Sequence, residues 1–204
     1  GKIASIVNWG SNVENSLTRK LLETTCNVHS DASLPKFHKE TFVETDKNKI
    51  KSVNSAAPGY GRKAVIYATC FVNYNNPSIG TSAVNVLNTN GVETEVVYPS
   101  CCGMPQLEQG NIAEVARAAE KVAKELRSWV DKGHDIIALT PSCALMLKFE
   151  WPLILPENED VKALSVATYD IDEYVIEIAK KDGLLVDDTK IDSKSYNKLV
   201  KAIF

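Results

Sequence analysis

From Lys63 onward, short unbroken apolar runs alternate with longer stretches whose apolar positions recur every three or four residues. Ala64-Val65-Ile66-Tyr67-Ala68 has no charged position, the pattern of a strand covered on both faces of a parallel sheet. Asn76-Pro77 then opens a helix, with Asn76 as cap and Pro77 in the first turn, where no backbone donor is missed. Ile79, Ala83, Val86 and Leu87 fall on one face of that helix, and Gly91 ends it. Glu93 to Tyr98, rich in Val and Thr, predicts the next strand. The clearest helix runs from about Asn111 to Asp131. Its stripe is Ile112, Val115, Ala119, Val122 and Leu126, and Gly133 closes it. Asp135 to Thr140, through Ile136-Ile137-Ala138-Leu139, predicts a third buried strand. Ser142 then caps a helix through Leu145 and Phe149 that Pro152 terminates. Asp170 and Glu173 stand at capping-box spacing for a last helix ending at Gly183. Residues 161–167 fit strand and helix equally well.

Before Lys63 the pattern dissolves. Val13, Leu17, Leu21 and Leu22 recur at helical spacing after a cap at Ser11 or Asn12, but Asn27 to Tyr60 is polar and nearly aperiodic. Residues 1–60 therefore read as a helix with an extended arm, 61–183 as an α/β domain and 184–204 as a C-terminal tail. Strand–helix alternation in the middle unit predicts a small parallel sheet flanked by helices and joined by right-handed crossovers.

Composition narrows the function classes. The 204 residues are 44% hydrophobic and 24% charged, with a formal charge of -3, which is the balance of a globular protein and lacks the basic face a nucleic-acid partner needs. No apolar run approaches the roughly 18 residues of a membrane span. There is no signal-peptide pattern, so a disulfide scaffold is not expected of the five cysteines. The chain starts at Gly1, not Met, which reads as processing or as a piece of something longer.

The cysteines fall where the predicted strands end. Cys70 lies past the first strand, Cys101-Cys102 past the second, and Cys143 past the third at a helix start. The carboxyl ends of parallel strands open on one edge, so these four thiols are expected to converge. Buried spare thiols are the bland explanation for any one of them, but three equivalent strand ends argue for a site. Clustered thiolates suit zinc or an iron–sulfur cluster. Thiol–disulfide chemistry is weaker, since Cys101-Cys102 is not Cys-x-x-Cys. The remaining signals are weaker still. His29, His38 and His134 lack ligand spacing, and Cys26 reads as a spare thiol. Asn73, Asn75 and Asn76 line the cleft or serve turns, and Trp9, Trp129 and Trp151 read as packing residues. Glu114 to Arg127 is a solvated helix face, Ser100 has no activating base, and neither a dinucleotide fingerprint nor a Walker loop occurs.

Cys70-Phe71-Val72-Asn73-Tyr74-Asn75-Asn76-Pro77, Cys101-Cys102-Gly103-Met104-Pro105 and Pro141-Ser142-Cys143 leading to Glu150-Trp151-Pro152 together resemble the cysteine-rich CCG domain. That domain occurs in iron–sulfur components of anaerobic glycerol-3-phosphate dehydrogenase, of heterodisulfide reductase and of lactate and glycolate oxidation systems. Leu21-Leu22-Glu23, Leu34-Pro35-Lys36-Phe37-His38 and Glu40-Thr41-Phe42 extend the likeness, which covers about residues 13–180. The resemblance implies a [4Fe-4S] cluster, cubane or noncubane, held by Cys70, Cys101, Cys102 and Cys143, with Gly103 turning the chain beside it. It implies an electron-transfer component, not a catalyst by itself, with a flavin-containing dehydrogenase as donor and quinone, a membrane partner or a disulfide as acceptor. Such a component would be cytoplasmic or peripheral on the cytoplasmic membrane face. Three departures leave zinc, or no metal, as the alternative in a structural module. Met146 stands where the family's closing Cys-x-x-Cys has its last thiol, one repeat is present where two are usual, and no ferredoxin-like Cys-x-x-Cys-x-x-Cys segment occurs. Residues 184–204 are then the start of a second repeat, and the apolar surface that repeat would cover is a route to self-association.

Overall fold

The computed structural model describes residues 3–49, 52–186, 189–195 and 197. Four strands, β1 (Lys63–Tyr67), β2 (Glu93–Val97), β3 (Asp135–Ala138) and β4 (Thr168–Asp170), form a wholly parallel sheet in the order β2-β1-β3-β4. The chain leaves β1 first toward β2 and then, on the other side, toward β3. Strand order therefore reverses beside β1, where open α/β sheets place their ligands.

Side-chain alternation divides the core into two layers. Val65, Tyr67, Ile136 and Ala138 face α6 (Ile112–Val130), α9 (Glu159–Ala167) and the helical path from α7 (Pro141–Leu145) to α8 (Trp151–Ile154). Ala64, Ile66, Ile137 and Leu139 face α3 (Phe42–Lys47), α4 (Pro77–Thr89) and α10 (Ile171–Lys181). A Cβ on Gly80 would stand 2.6 Å from the Phe42 ring, so this glycine lets α3 seat its aromatic anchor against α4. The short α5 (Met104–Glu108) lies between Gly103 and α6, and β5 (Leu184–Val186) pairs antiparallel with β6 (Thr189–Ile191).

Within the α/β domain the expected order of strands and helices stands, with local corrections. Helix α6 follows its stripe except that Ile112, at its open first turn, is exposed. In α4, Ala83 and Leu87 are buried while Ile79 and Val86 face outward. The Asn76 side chain makes no cap bond to the helix backbone and instead accepts from Ser78 Oγ at 2.7 Å. Thr140 precedes α7, so Ser142 lies inside the helix. Pro152 does not stop the path but occupies the first turn of α8, where a missing N–H is harmless. Residues 161–167 are helical, and the three-residue β4, too short to show alternation, had no sequence signal.

The described residues before Tyr60 are more ordered than their pattern predicts. They hold α1 (Ala4–Ser11), α2 (Ser16–Cys26), capped by Asn15, and α3, opened by a Thr41–Glu44 capping box. The stripe Val13, Leu17 and Leu21 is exposed, and so is Trp9. What anchors this arm is the buried Arg19, whose guanidinium donates to the carbonyls of Ser11, His29, Ser30 and Ala32. The arm then reaches the domain through His38 N–H to the Tyr74 carbonyl (2.7 Å), Asn75 Nδ2 to the Lys36 carbonyl (3.0 Å) and Val43 N–H to Asn73 Oδ1 (3.1 Å). Asn73 and Asn75 thus fasten the arm. Part of the expected C-terminal tail, including residues 198–204, lies outside the described residues.

Candidate functional site

Side chains beyond the strand ends fix the carboxyl edge of the sheet before any thiol is considered. The Tyr67 hydroxyl at the end of β1 donates to the Ser100 carbonyl at 2.7 Å, tying β1 to the loop after β2. Thr69 and Thr140 share a 2.8 Å hydroxyl–hydroxyl bond that ties β1 to the loop after β3. Trp151, fully buried, donates Nε1–H to the Cys102 carbonyl at 3.1 Å. Two of the helical segments that leave this edge widen into π-helical turns, Phe71–Asn75 after Cys70 and Met146–Glu150 after Cys143. Such turns recur at functional sites and cannot be read from periodicity.

The four cysteines meet here, in a row. Cys70 and Cys102 both hydrogen-bond to the Cys101 sulfur, and Cys102 also bonds to Cys143, Sγ to Sγ at 3.2 Å. Cys102 reaches Cys143 across the end of β1, since β2 and β3 are not neighbours in the sheet. Cys102 and Cys143 are buried, 2% and 5% exposed, while Cys70 and Cys101 are half-buried at the mouth. Cys26 is exposed and stands apart on the arm. A pocket of about 270 Å³ opens on Cys101, lined also by Ser100, Gly103, Gln106, Arg117 and Lys121. A hollow of about 470 Å³ around Arg62 and Glu93 lies at the amino edge of the sheet, away from every thiol.

Each sulfur also meets a donor from the chain. Phe71 N–H serves Cys70, Gly103 N–H serves Cys101, Met104 N–H serves Cys102, and the Ser142 hydroxyl serves Cys143. Gly103 makes this possible at the Cys-Cys-Gly turn, because its φ of +83° is a left-handed backbone that side chains disfavour. The thiols then divide by role. Hydrogen bonds from Cys102 and Cys70 hold the Cys101 thiol well below its ordinary pKa against the opposing effect of burial. The bond from Cys102 likewise lowers Cys143. Interaction with Cys101, with burial added, raises Cys70, and interaction with Cys101 and Cys143, with burial, raises Cys102. Burial and the neighbouring sulfurs push Tyr67 and Tyr98 upward.

As donors, the four sulfurs suit a soft metal or an iron–sulfur cluster, being thiols that each receive a hydrogen bond of the kind that stabilises thiolate. As placed, the Cys102 and Cys143 sulfurs touch. Among the described residues no group of three or more His, Cys, Asp or Glu side chains surrounds a point where one metal ion would sit. A metal entering the site has to part the row. Met146 is buried in the same core cluster as Tyr67 and Trp151, filling space at the position where the family resemblance implies a further thiol.

The spacing and setting of these thiols agree with a known family. Residues 64–148 match the cysteine-rich CCG domain. All four clustered cysteines fall inside this CCG segment, as do both π-helical turns except for Phe149 and Glu150. The chain is 29% identical over 163 residues to one of the subunits of anaerobic glycerol-3-phosphate dehydrogenase from Escherichia coli K12, covering 79% of this chain and 39% of that protein. It is 28% identical over 123 residues to lactate utilization protein A of Bacillus pumilus, covering 57% and 49%. With one of the subunits of fumarate reductase (CoM/CoB) from Methanothermobacter marburgensis it shares 25% over 159 residues, covering 74% and 32%. The chain thus spans less than half the length of each of these relatives. No solved structure matches it. No described helix is long and apolar enough to cross a membrane.

Proposed function

We propose that the protein is an electron-transfer component of an oxidoreductase complex, with Cys70, Cys101, Cys102 and Cys143 holding a [4Fe-4S] cluster. The observation that carries this reading is the meeting of four thiols, from the ends of three parallel strands, at the reversal point of the sheet. Two of the similar proteins are named as subunits of oxidoreductases, which agrees in class. When bound, such a cluster supplies reversible one-electron transfer at a potential set by burial and by hydrogen bonds to sulfur.

The chain's own contribution is to hold and shield. Cys102 and Cys143 lie on the core side and exclude water, while half-buried Cys70 and Cys101 face the edge where a partner can approach. The donors from Phe71, Gly103, Met104 and Ser142 stabilise negative charge on the sulfurs. In this reading a flavin-containing dehydrogenase supplies electrons, and quinone at the cytoplasmic membrane face, or a disulfide, takes them.

Replacing Cys102 with Ser tests the assignment, because Cys102 is central to the row. Cys102→Ser, prepared without oxygen and reconstituted with iron and sulfide, is expected to lose its cluster while keeping its far-ultraviolet circular dichroism. Full iron content in a folded Cys102→Ser variant would contradict the ligand set. An assembly module, metal-free or zinc-bound, is the second reading, and its metal-free form is favoured by the Cys102 and Cys143 sulfurs touching and by the absence, among the described residues, of a group framing an ion. Zinc, or no metal, in the parent chain would decide for it.

A further inference from the structure

The same four thiols present a second chemistry that does not depend on the metal they hold. Four cysteines allow three complete pairings. Pairing Cys101 with Cys102 joins adjacent residues, whose Cα atoms stand about 3.8 Å apart across a trans peptide, closer than an ordinary disulfide spans. It also leaves Cys70 and Cys143 at opposite ends of the row. Pairing Cys70 with Cys102 and Cys101 with Cys143 passes over the contacts that exist. Only the third pairing uses all four and keeps the observed contact: Cys102 joins Cys143, whose sulfurs lie 3.2 Å apart, and the two half-buried thiols at the mouth, Cys70 and Cys101, are left for each other. We propose that the metal-free protein oxidises to two specific disulfides, Cys70–Cys101 and Cys102–Cys143, which lace the loops after β1, β2 and β3 together and withdraw every ligand from the metal site.

Hydrogen peroxide is a sufficient oxidant, and the pocket beside Cys101 admits it. The Cys101 sulfur attacks one peroxide oxygen, the O–O bond breaks, and water leaves behind a sulfenic acid. The Cys70 sulfur then displaces the sulfenic oxygen, which departs as a second water carrying the thiol proton. Two thiols lose two electrons and one peroxide gains them, giving one disulfide and two waters. A second peroxide does the same for Cys102 and Cys143. Burial sets the order. The half-buried pair at the mouth closes first, and the inner pair closes later and is reduced later. A dithiol reductant restores the four thiols, so the device is a reversible gate on metal loading.

The test uses the full chain, metal-free and reduced, titrated with hydrogen peroxide, quenched with iodoacetamide and mapped without reduction. Trypsin leaves Cys70, Cys101 and Cys102 on one peptide, residues 64–117, so peptic digestion with fragment spectra is needed. The expected product has lost four hydrogens, carries one alkyl group on Cys26, and shows only the two stated cross-links, Cys70–Cys101 ahead of Cys102–Cys143. A Cys101–Cys102 link, a link to Cys26, or sulfinic acids in place of disulfides would overturn the proposal. Cys143→Ser should still form Cys70–Cys101, and Cys26→Ser should leave both links unchanged. Scrambling in Cys26→Ser would count against specific pairing even if Cys143→Ser fails to fold. Iron content, measured separately on the reconstituted chain, keeps the two readings apart. A chain that never takes iron but pairs as stated refutes the electron-transfer role and leaves this inference standing.

Discussion

Ser142 illustrates how much of the site's behaviour rests on single donors. Its side chain hydrogen-bonds the Cys143 sulfur and so favours the charged form of that thiol. A cluster gains negative charge when reduced, and a donor to one of its sulfurs stabilises that state. Ser142→Ala is therefore expected to shift the midpoint potential of the reconstituted protein to a more negative value, with Ser142→Thr restoring it. A redox titration in which Ser142→Ala matches the parent would show that the hydroxyl does not reach the metal-bound sulfur. The cysteines themselves were legible from their places after apolar runs, because parallel strands must end on a common edge. Ser142 was legible only as a helix cap. Its residue type is right for either role, and which atom it serves depends on three loops meeting in space.

At the scale of elements, the edge is pinned by strand-end side chains acting across neighbouring loops. The Tyr67 hydroxyl on the Ser100 carbonyl is one such pin. Tyr67→Phe removes it and leaves a partly buried carbonyl without its donor, a loss of about 1–3 kcal/mol. Urea unfolding should show a lower midpoint with an unchanged slope, and an unchanged midpoint would mean that the pin contributes nothing. At the opposite end of β3, burial raises the Asp135 carboxyl above its ordinary value of 3.8, against the hydrogen bond from Tyr174. A carboxyl with a raised folded pKa stabilises the fold while protonated and loses that contribution as pH climbs through its folded pKa. Asp135→Asn, which still accepts the Tyr174 hydroxyl, should therefore be more stable than the parent at about pH 7, with the advantage shrinking toward about pH 4. Denaturation midpoints at the two pH values check this, and equal midpoints at pH 7 would contradict it. Strong periodicity announced α6, whereas β4 and the π-helical turns escaped notice. A three-residue strand shows no alternation, and one extra residue per turn leaves no pattern.

The whole molecule is a three-layer sheet-and-helix domain with an arm laid along one side. The arm shows where sequence pattern misleads, since Val13, Leu17 and Leu21 have the spacing of a core stripe and yet are exposed. Its order comes instead from Arg19, a charged residue gathering four backbone carbonyls, which apolar periodicity cannot register. The domain behaves in the opposite way, because its buried strands and the inner positions of α6 agree with the same layer packing. One edge of that domain carries the thiols, their donors and the reversal in strand order, so the molecule's function is argued from that edge. The most direct measurement is an electron paramagnetic resonance spectrum of the full chain, reconstituted without oxygen, with iron, sulfide and zinc counted on the same sample. About four irons and four sulfides per chain are expected, with a signal that appears on reduction. Zinc alone, or no metal after reconstitution, would contradict the cluster assignment.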